Sequence, residues 1–223
     1  MNQDERNAAI LAKYIPDKAI PVIVKWIKEF DFKLKLTKVR NSKLGDYRPP
    51  IDRPNHQITI NHNLNPYAFL VTLVHEIAHL TCYNKFKNNV SPHGSEWKRE
   101  YCHLMTFFMN DDIFPNDVLF ALATHLRTPG ASSCSDADLL RALKRYDVNN
   151  AGSQLVFLEK LPFRTRFLFN GDRVFEKGLR LRTRYRCTEI SSGAVYLFHA
   201  LAEVELFEPI SGVQSSFHID GGL

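Results

Sequence analysis

The stretch LVTLVHEIAHLTCYN, residues 70–84, sets two histidines and a glutamate in an otherwise apolar run. Four residues turn a helix by roughly 400°, so His75 and His79 would share one face, one turn apart. Two imidazoles so placed can grip one zinc ion. Glu76 reaches the same edge of the helix without having to bind the metal, and its carboxylate can take a proton from an attacking water. The chemistry this order of residues could do is metal-assisted hydrolysis. The alternative is a pair of packed histidines satisfied within a core.

Two protein ligands do not make a catalytic zinc site, so a third is needed. The metzincin pattern would put Gly three residues and His six residues beyond the second histidine. Cys82 and Lys85 stand there, which excludes that class. Glu96 or Glu100, on the next expected helix, could serve as a carboxylate ligand of the thermolysin type. His93, in SPHGSEWKREY, is the other candidate: a loop histidine just ahead of a second helix can swing onto the metal of the first.

HEIAHL followed after a short loop by HGSEWK resembles the SprT-like zinc metallopeptidases, through His75, Glu76, His79, His93, Gly94, Trp97 and Lys98. The upstream LGDYRPP and HQITINHNLN are similar as well, so the resemblance covers roughly residues 15–110. It implies a compact zincin-like fold, with His75, His79 and His93 holding one zinc ion, Glu76 as catalytic base, and a protein or peptide as substrate. Spartan-like members of that family cleave proteins crosslinked to DNA, so DNA-associated substrates are implied too. Many members carry a zinc ribbon with two CxxC pairs. This chain departs there, since Cys187 alone stands in the C-terminal segment and a second zinc is not expected.

The elements that must position these residues follow from periodicity. Asn65 can cap a helix and Pro66 fits its first position. Leu70, Leu73, Val74, Ile77 and Leu80 recur at spacings of three and four, a core-facing stripe on a helix running to about Tyr83. A second helix from Ser95 would bury Trp97, Tyr101, Leu104, Met105 and Phe108. Before the motif, two helices separated by a break at residues 15–18 lead into FDFKLKLTKVR, whose alternation is that of a strand. NSKLGDYRPP breaks that pattern. HQITIN reads as a short strand, and its position just ahead of the motif suggests an exposed edge at residues 56–60 onto which substrate could add as a further strand. Ser135 and Asp138 can form a capping box for a short helix.

From residue 155 the pattern changes to short strands, with Asn170-Gly171 a strong hairpin signal. About five strands suggest a small barrel or meander; Phe167, Phe169, Leu181, Tyr185 and Leu197 are its expected core. The fold class is therefore α+β: a domain at 1–128, a linker with a short helix at 129–154, a β-rich module at 155–209 and a loose tail at 210–223.

Charge singles out that module. The chain carries a net +5, but residues 160–190 hold nine Lys or Arg against three acids, more positive excess than the whole. Arg180, Arg182, Arg184 and Arg186 alternate with Leu181, Thr183 and Tyr185. On one strand they would form a row spaced about 7 Å apart. Guanidinium groups bind phosphate in bidentate fashion, so the row suggests sequence-independent contact with nucleic acid. A solvated face paired to Glu176, Glu189, Glu203 or Glu205 is the plainer reading, and a nucleic-acid-binding protein with an inactive or structural zinc domain is the alternative function. The start MNQDERNAAI is unlike a secretory signal, no apolar run of about 18 residues exists, and the four cysteines form no CxxC pair. A cytoplasmic protein with reduced thiols is expected.

Overall fold

The computed structural model describes residues 1–40, 43–51, 54–130, 136–147, 155–182 and 184–207. The chain divides into two units, residues 1–148 and 149–223.

In the first unit, α1 (Gln3–Leu11) and α2 (Ile20–Glu29) precede β1 (Phe32–Thr37), β2 (Gly45–Arg48) and β3 (His56–Asn61). Then come α3 (Pro66–Phe86), α4 (Ser95–Met105), α5 (Asn116–His125) and α6 (Ala137–Lys144). The sheet order is β1-β3-β2, with β3 parallel to β1 and antiparallel to β2. β3 is thus the central strand, and Ile58 and Ile60 are fully buried. This corrects the expected edge at residues 56–60: both its edges are paired, and the strand beside the motif helix with an outer edge is β2. GDYR reads as a break because Gly45, Asp46 and the following prolines are poor strand formers. Pairing to Ile58 and Ile60 makes it a strand nonetheless.

The lead into β2 is held by a polar staple. Asn61, buried, donates from Nδ2 to the carbonyls of Arg40 (3.1 Å) and Lys43 (3.2 Å), and Arg40 Nε donates back to Asn61 Oδ1 at 2.9 Å.

α3 starts as its sequence requires. The Asn65 side chain accepts from the amides of Tyr67 and Ala68 at 3.1 and 3.0 Å, with Pro66 in the first turn. Asn65 Nδ2 also donates to the Leu143 carbonyl at 2.9 Å and to Asp147 Oδ1 at 2.6 Å. The helix is buried almost all round, not along one stripe, so it is the centre of the core. It runs to Phe86 and ends at Lys87, whose φ of 53° takes the chain out of the helix. α6 belongs to this unit and not to a linker, since Leu139, Ala142 and Leu143 join the same core. Its cap is Asp136, which accepts from Asp138 N and Leu139 N; Ser135 and Cys134 lie outside the described residues.

The second unit is a six-stranded antiparallel sheet of order β4-β9-β5-β6-β7-β8. The strands are β4 (Leu155–Phe157), β5 (Arg166–Phe169), β6 (Arg173–Arg180), β7 (Arg184–Glu189), β8 (Val195–His199) and β9 (Glu203–Leu206). β5 to β8 form a meander, and no closed barrel forms among the described residues: β4 and β8 remain edges. Asn170 (φ 55°) and Gly171 (φ 92°) make the expected tight hairpin. The core is built from Phe167, Phe175, Tyr185, Cys187, Phe198 and Val204. Phe167 and Tyr185 are where the sequence puts them, and Phe169 packs at the margin. Leu181 and Leu197 are exposed instead, the first at a turn and the second on the outward face of edge strand β8. The tail expected at 210–223 lies outside the described residues. No helix among the described residues is long and apolar enough to cross a membrane.

Candidate metal centre

Two elements bring the three histidines together. His75 and His79 lie one turn apart on α3, and His93 stands in the loop that leads into α4. His93 has a φ of 56°, the left-handed region that side chains other than glycine rarely adopt. Such a conformation persists only where the surroundings impose it. Here it turns the imidazole back onto α3.

The Nε2 atoms form a near-equilateral triangle: 3.2 Å from His75 to His79, 2.9 Å from His79 to His93 and 3.2 Å from His93 to His75. Each neutral imidazole has a single N–H, so three ring nitrogens facing one point cannot all satisfy one another. A cation at that point would satisfy all three lone pairs. Ring nitrogens about 2.0–2.1 Å from a tetrahedral zinc would lie roughly 3.3–3.4 Å apart. The observed triangle is slightly tighter, and the donor set fits a metal ion. Burial supports this by keeping the rings neutral. Burial, with repulsion from the neighbouring histidines, holds His75 down to about 2 and His79 down to about 4; burial also lowers His93.

His93 therefore closes the site, and the two glutamates weighed against it do not. Glu100 pairs with Lys85 at 2.6 Å, and Glu96 lies against Ser95 and Arg99. Among the described residues, His75, His79 and His93 are the His, Cys, Asp or Glu group positioned to hold a metal.

Trp97 is the platform. Its ring centroid lies 4.6, 5.3 and 4.7 Å from those of His75, His79 and His93. It stacks on Tyr101 at 5.1 Å, and both residues are about 1% exposed. Tyr101 in turn meets the edge of His125, whose Nδ1 lies 3.0 Å from Asp136 Oδ2. His125 is the support behind the ligands; its sequence surroundings gave no sign of it. His62 and His103, which lie nearer to the motif in sequence, are both exposed. Tyr101 is sealed beneath Trp97, and Arg99 is exposed.

Glu76 lies on the β2 side of α3 and is 7% exposed. Burial pushes its carboxyl up to about 8, Asp46 adds to the rise, and the Tyr47 backbone N–H pulls it the other way. A positive ion beside it would favour the ionised form. β2 presses directly on this carboxylate at Gly45.

The four arginines are not a row. Arg180 ends β6, Arg182 lies in the hairpin turn closed by the Leu181 N–H to Arg184 carbonyl bond (2.7 Å), and Arg184 and Arg186 alternate on β7. Only the last two share a strand face, opposite His199 and Leu197. All four are exposed. Glu189 is taken by Arg173 at 2.7 Å. Cys82, Cys102 and Cys187 are free thiols.

No family model, curated protein or solved structure matches this chain.

Proposed function

We propose that the first unit is a zinc-dependent endopeptidase of the SprT-like kind, with a zincin-like active-site helix. The observation that carries this reading is the convergence of three neutral imidazoles, two of them from the helix that also carries the buried carboxylate of Glu76. His75, His79 and His93 would hold the ion. Three protein ligands leave a position open, which is the arrangement of a catalytic site and not of a closed structural one. When bound, zinc supplies Lewis-acid polarisation of the scissile carbonyl and lowers the pKa of a water.

The chain's own groups do the rest. Glu76 accepts the proton of the attacking water and passes it to the leaving amine. Trp97 and Tyr101 keep water from the back of the ligand rings and fix their orientation. The substrate main chain adds to the outer edge of β2, which has no strand partner among the described residues and lies against Glu76. A peptide complex with no strand on β2 would reject that last element.

The reading is tested by stripping the protein with a chelator and reloading it with one equivalent of zinc. Cleavage of an unfolded protein substrate is expected only after reloading. Equal cleavage by the stripped protein rejects it.

A second reading concerns the second unit. Exposed arginines gathered around the β6–β7 hairpin favour phosphate contact, and with it substrates associated with DNA. Binding to single-stranded and duplex DNA would fall steeply with salt and weaken when the four arginines are neutralised. Unchanged binding returns them to a solvated surface. A zinc-loaded protein that binds DNA and cleaves nothing would instead be a nucleic-acid-binding protein with a structural zinc domain.

A further inference from the structure

Beside the metal triangle lies a cleft of about 370 Å³, and His79 forms part of its wall. It is therefore continuous with the site where a peptide would be cut. Trp97 lines it from below the ligands, Tyr47 from β2, Tyr83 from the last turns of α3, and Val90 and Pro92 from the loop that delivers His93. Every element that builds the catalytic site also contributes a wall. The Tyr47 hydroxyl is turned away to His56 Nδ1 at 2.8 Å, so the Tyr47 ring and not its hydroxyl is presented.

The volume sits at the lower end of small-ligand cavities, which run from about 300 to 1,000 Å³. That is room for one large side chain. Among the described residues no Asp or Glu lines the cleft, whereas Lys87 does. Lys87 Nζ lies 4.9 Å from the centre of the Tyr83 ring, so its cation is held over the aromatic wall.

We propose that this cleft seats one large apolar or aromatic side chain of the peptide substrate, and that Lys87 excludes lysine and arginine from the same position. The inference rests on the peptidase reading and adds a specificity to it. A main chain added to the edge of β2 runs past Tyr47, which places one of its side chains over the cleft. An apolar wall rewards burial of a ring by roughly 1.5–3 kcal/mol relative to leaving it in water. An ammonium or guanidinium entering there would lose water and meet a like charge with no acid to pair with.

The test uses zinc-loaded full-length protein and a peptide mixture randomised around a cleavable bond, with products read by mass spectrometry. Phe, Tyr, Trp, Leu and Met are expected to be enriched at one fixed position relative to the scissile bond. Lys and Arg should be at least tenfold depleted there. Lys87→Glu should abolish that depletion, and Val90→Trp, which fills the cleft, should shift the preference to small side chains. Lys87→Gln keeps the test intact if the bulkier variant does not fold, as zinc content and circular dichroism will show. Uniform side-chain usage at every position, or an unchanged pattern in Lys87→Glu, overturns the proposal. If the wild type cleaves nothing, it is the peptidase reading that fails. The cleft is then judged by NMR titration of the zinc-loaded protein with blocked Phe and blocked Lys dipeptides. At least tenfold tighter binding of the Phe peptide at the cleft supports it, and equal affinity overturns it.

Discussion

A Cβ placed on Gly45 would lie 2.5 Å from Oε1 of Glu76. The strand β2 thus approaches the Glu76 carboxylate as closely as a backbone can, and only a residue without a side chain leaves that carboxylate where it is. Gly45→Ala is expected to fold, because Gly45 does not occupy the left-handed region. The added methyl must displace the Glu76 carboxylate. We expect zinc binding to be retained and proteolysis to fall at least tenfold, equivalent to about 1.4 kcal/mol in the barrier. Zinc content by metal analysis alongside initial rates of proteolysis checks this; full activity would mean that the position of Glu76 is not critical.

His93→Ala should lower zinc affinity by orders of magnitude, while Glu96→Ala and Glu100→Ala should leave it within a few-fold. The comparison is made by competition with a chromogenic chelator. Zinc retained in His93→Ala would remove the third ligand from the account.

Trp97→Ala removes the surface on which all three ligand rings rest. The loss of a fully buried aromatic costs about 3–5 kcal/mol of stability. Loosened support for the ligands should also weaken zinc binding by roughly 10- to 100-fold. Chemical denaturation followed by circular dichroism, with zinc competition on the folded fraction, measures both. Undiminished zinc affinity would reduce Trp97 to a packing residue.

The motif helix could be read because its signals are local. A cap at Asn65, a proline after it and a leucine-rich period are all encoded within a few residues. His93 stands in the sequence as one candidate beside Glu96 and Glu100, and only the likeness of HGSEWK to a family prefers it, because the left-handed backbone that aims its ring comes from the loop and leaves no periodicity. β2 was illegible for the opposite reason: Gly45 and Asp46 argue against a strand, and pairing with β3 overrides them. The place of β3 at the centre is likewise a property of its neighbours. In the second unit Asn170-Gly171 announces one hairpin, but residues 181–184 carry no glycine or asparagine, so the sequence reads as one strand where β6 and β7 are two. Leu181 leaves the expected core because it falls at the turn between them, and Leu197 because it faces outward on edge strand β8.

Acid should loosen the first unit through two carboxylates. Burial pushes Asp117 up, but the Tyr146 hydroxyl, Arg145 and the Val118 N–H outweigh it and hold it below its ordinary value of 3.8. Burial likewise raises Asp136, and the Leu139 N–H, His125 and the Asp138 N–H together carry it below 3.8. The unfolded chain then takes up protons first as pH falls. The stability these groups contribute is complete above their ordinary value and is lost as pH drops through the folded one. Asp117→Asn should cost roughly 0.5–1 kcal/mol at pH 7 and little at pH 2.5. Urea unfolding of chelator-treated protein, followed by the fluorescence of Trp26 and Trp97, tests this in the first unit alone, since the chain's two tryptophans both lie there. An equal cost at both pH values would contradict it.

The most direct measurement is Glu76→Gln, with zinc content and proteolysis determined on the same preparation. The substitution keeps the size of the side chain and removes its basicity. One equivalent of zinc is expected to remain bound while cleavage falls by about 10²- to 10⁴-fold, the usual contribution of a positioned general base. Zinc retained with cleavage undiminished would contradict the assignment of Glu76 as the base.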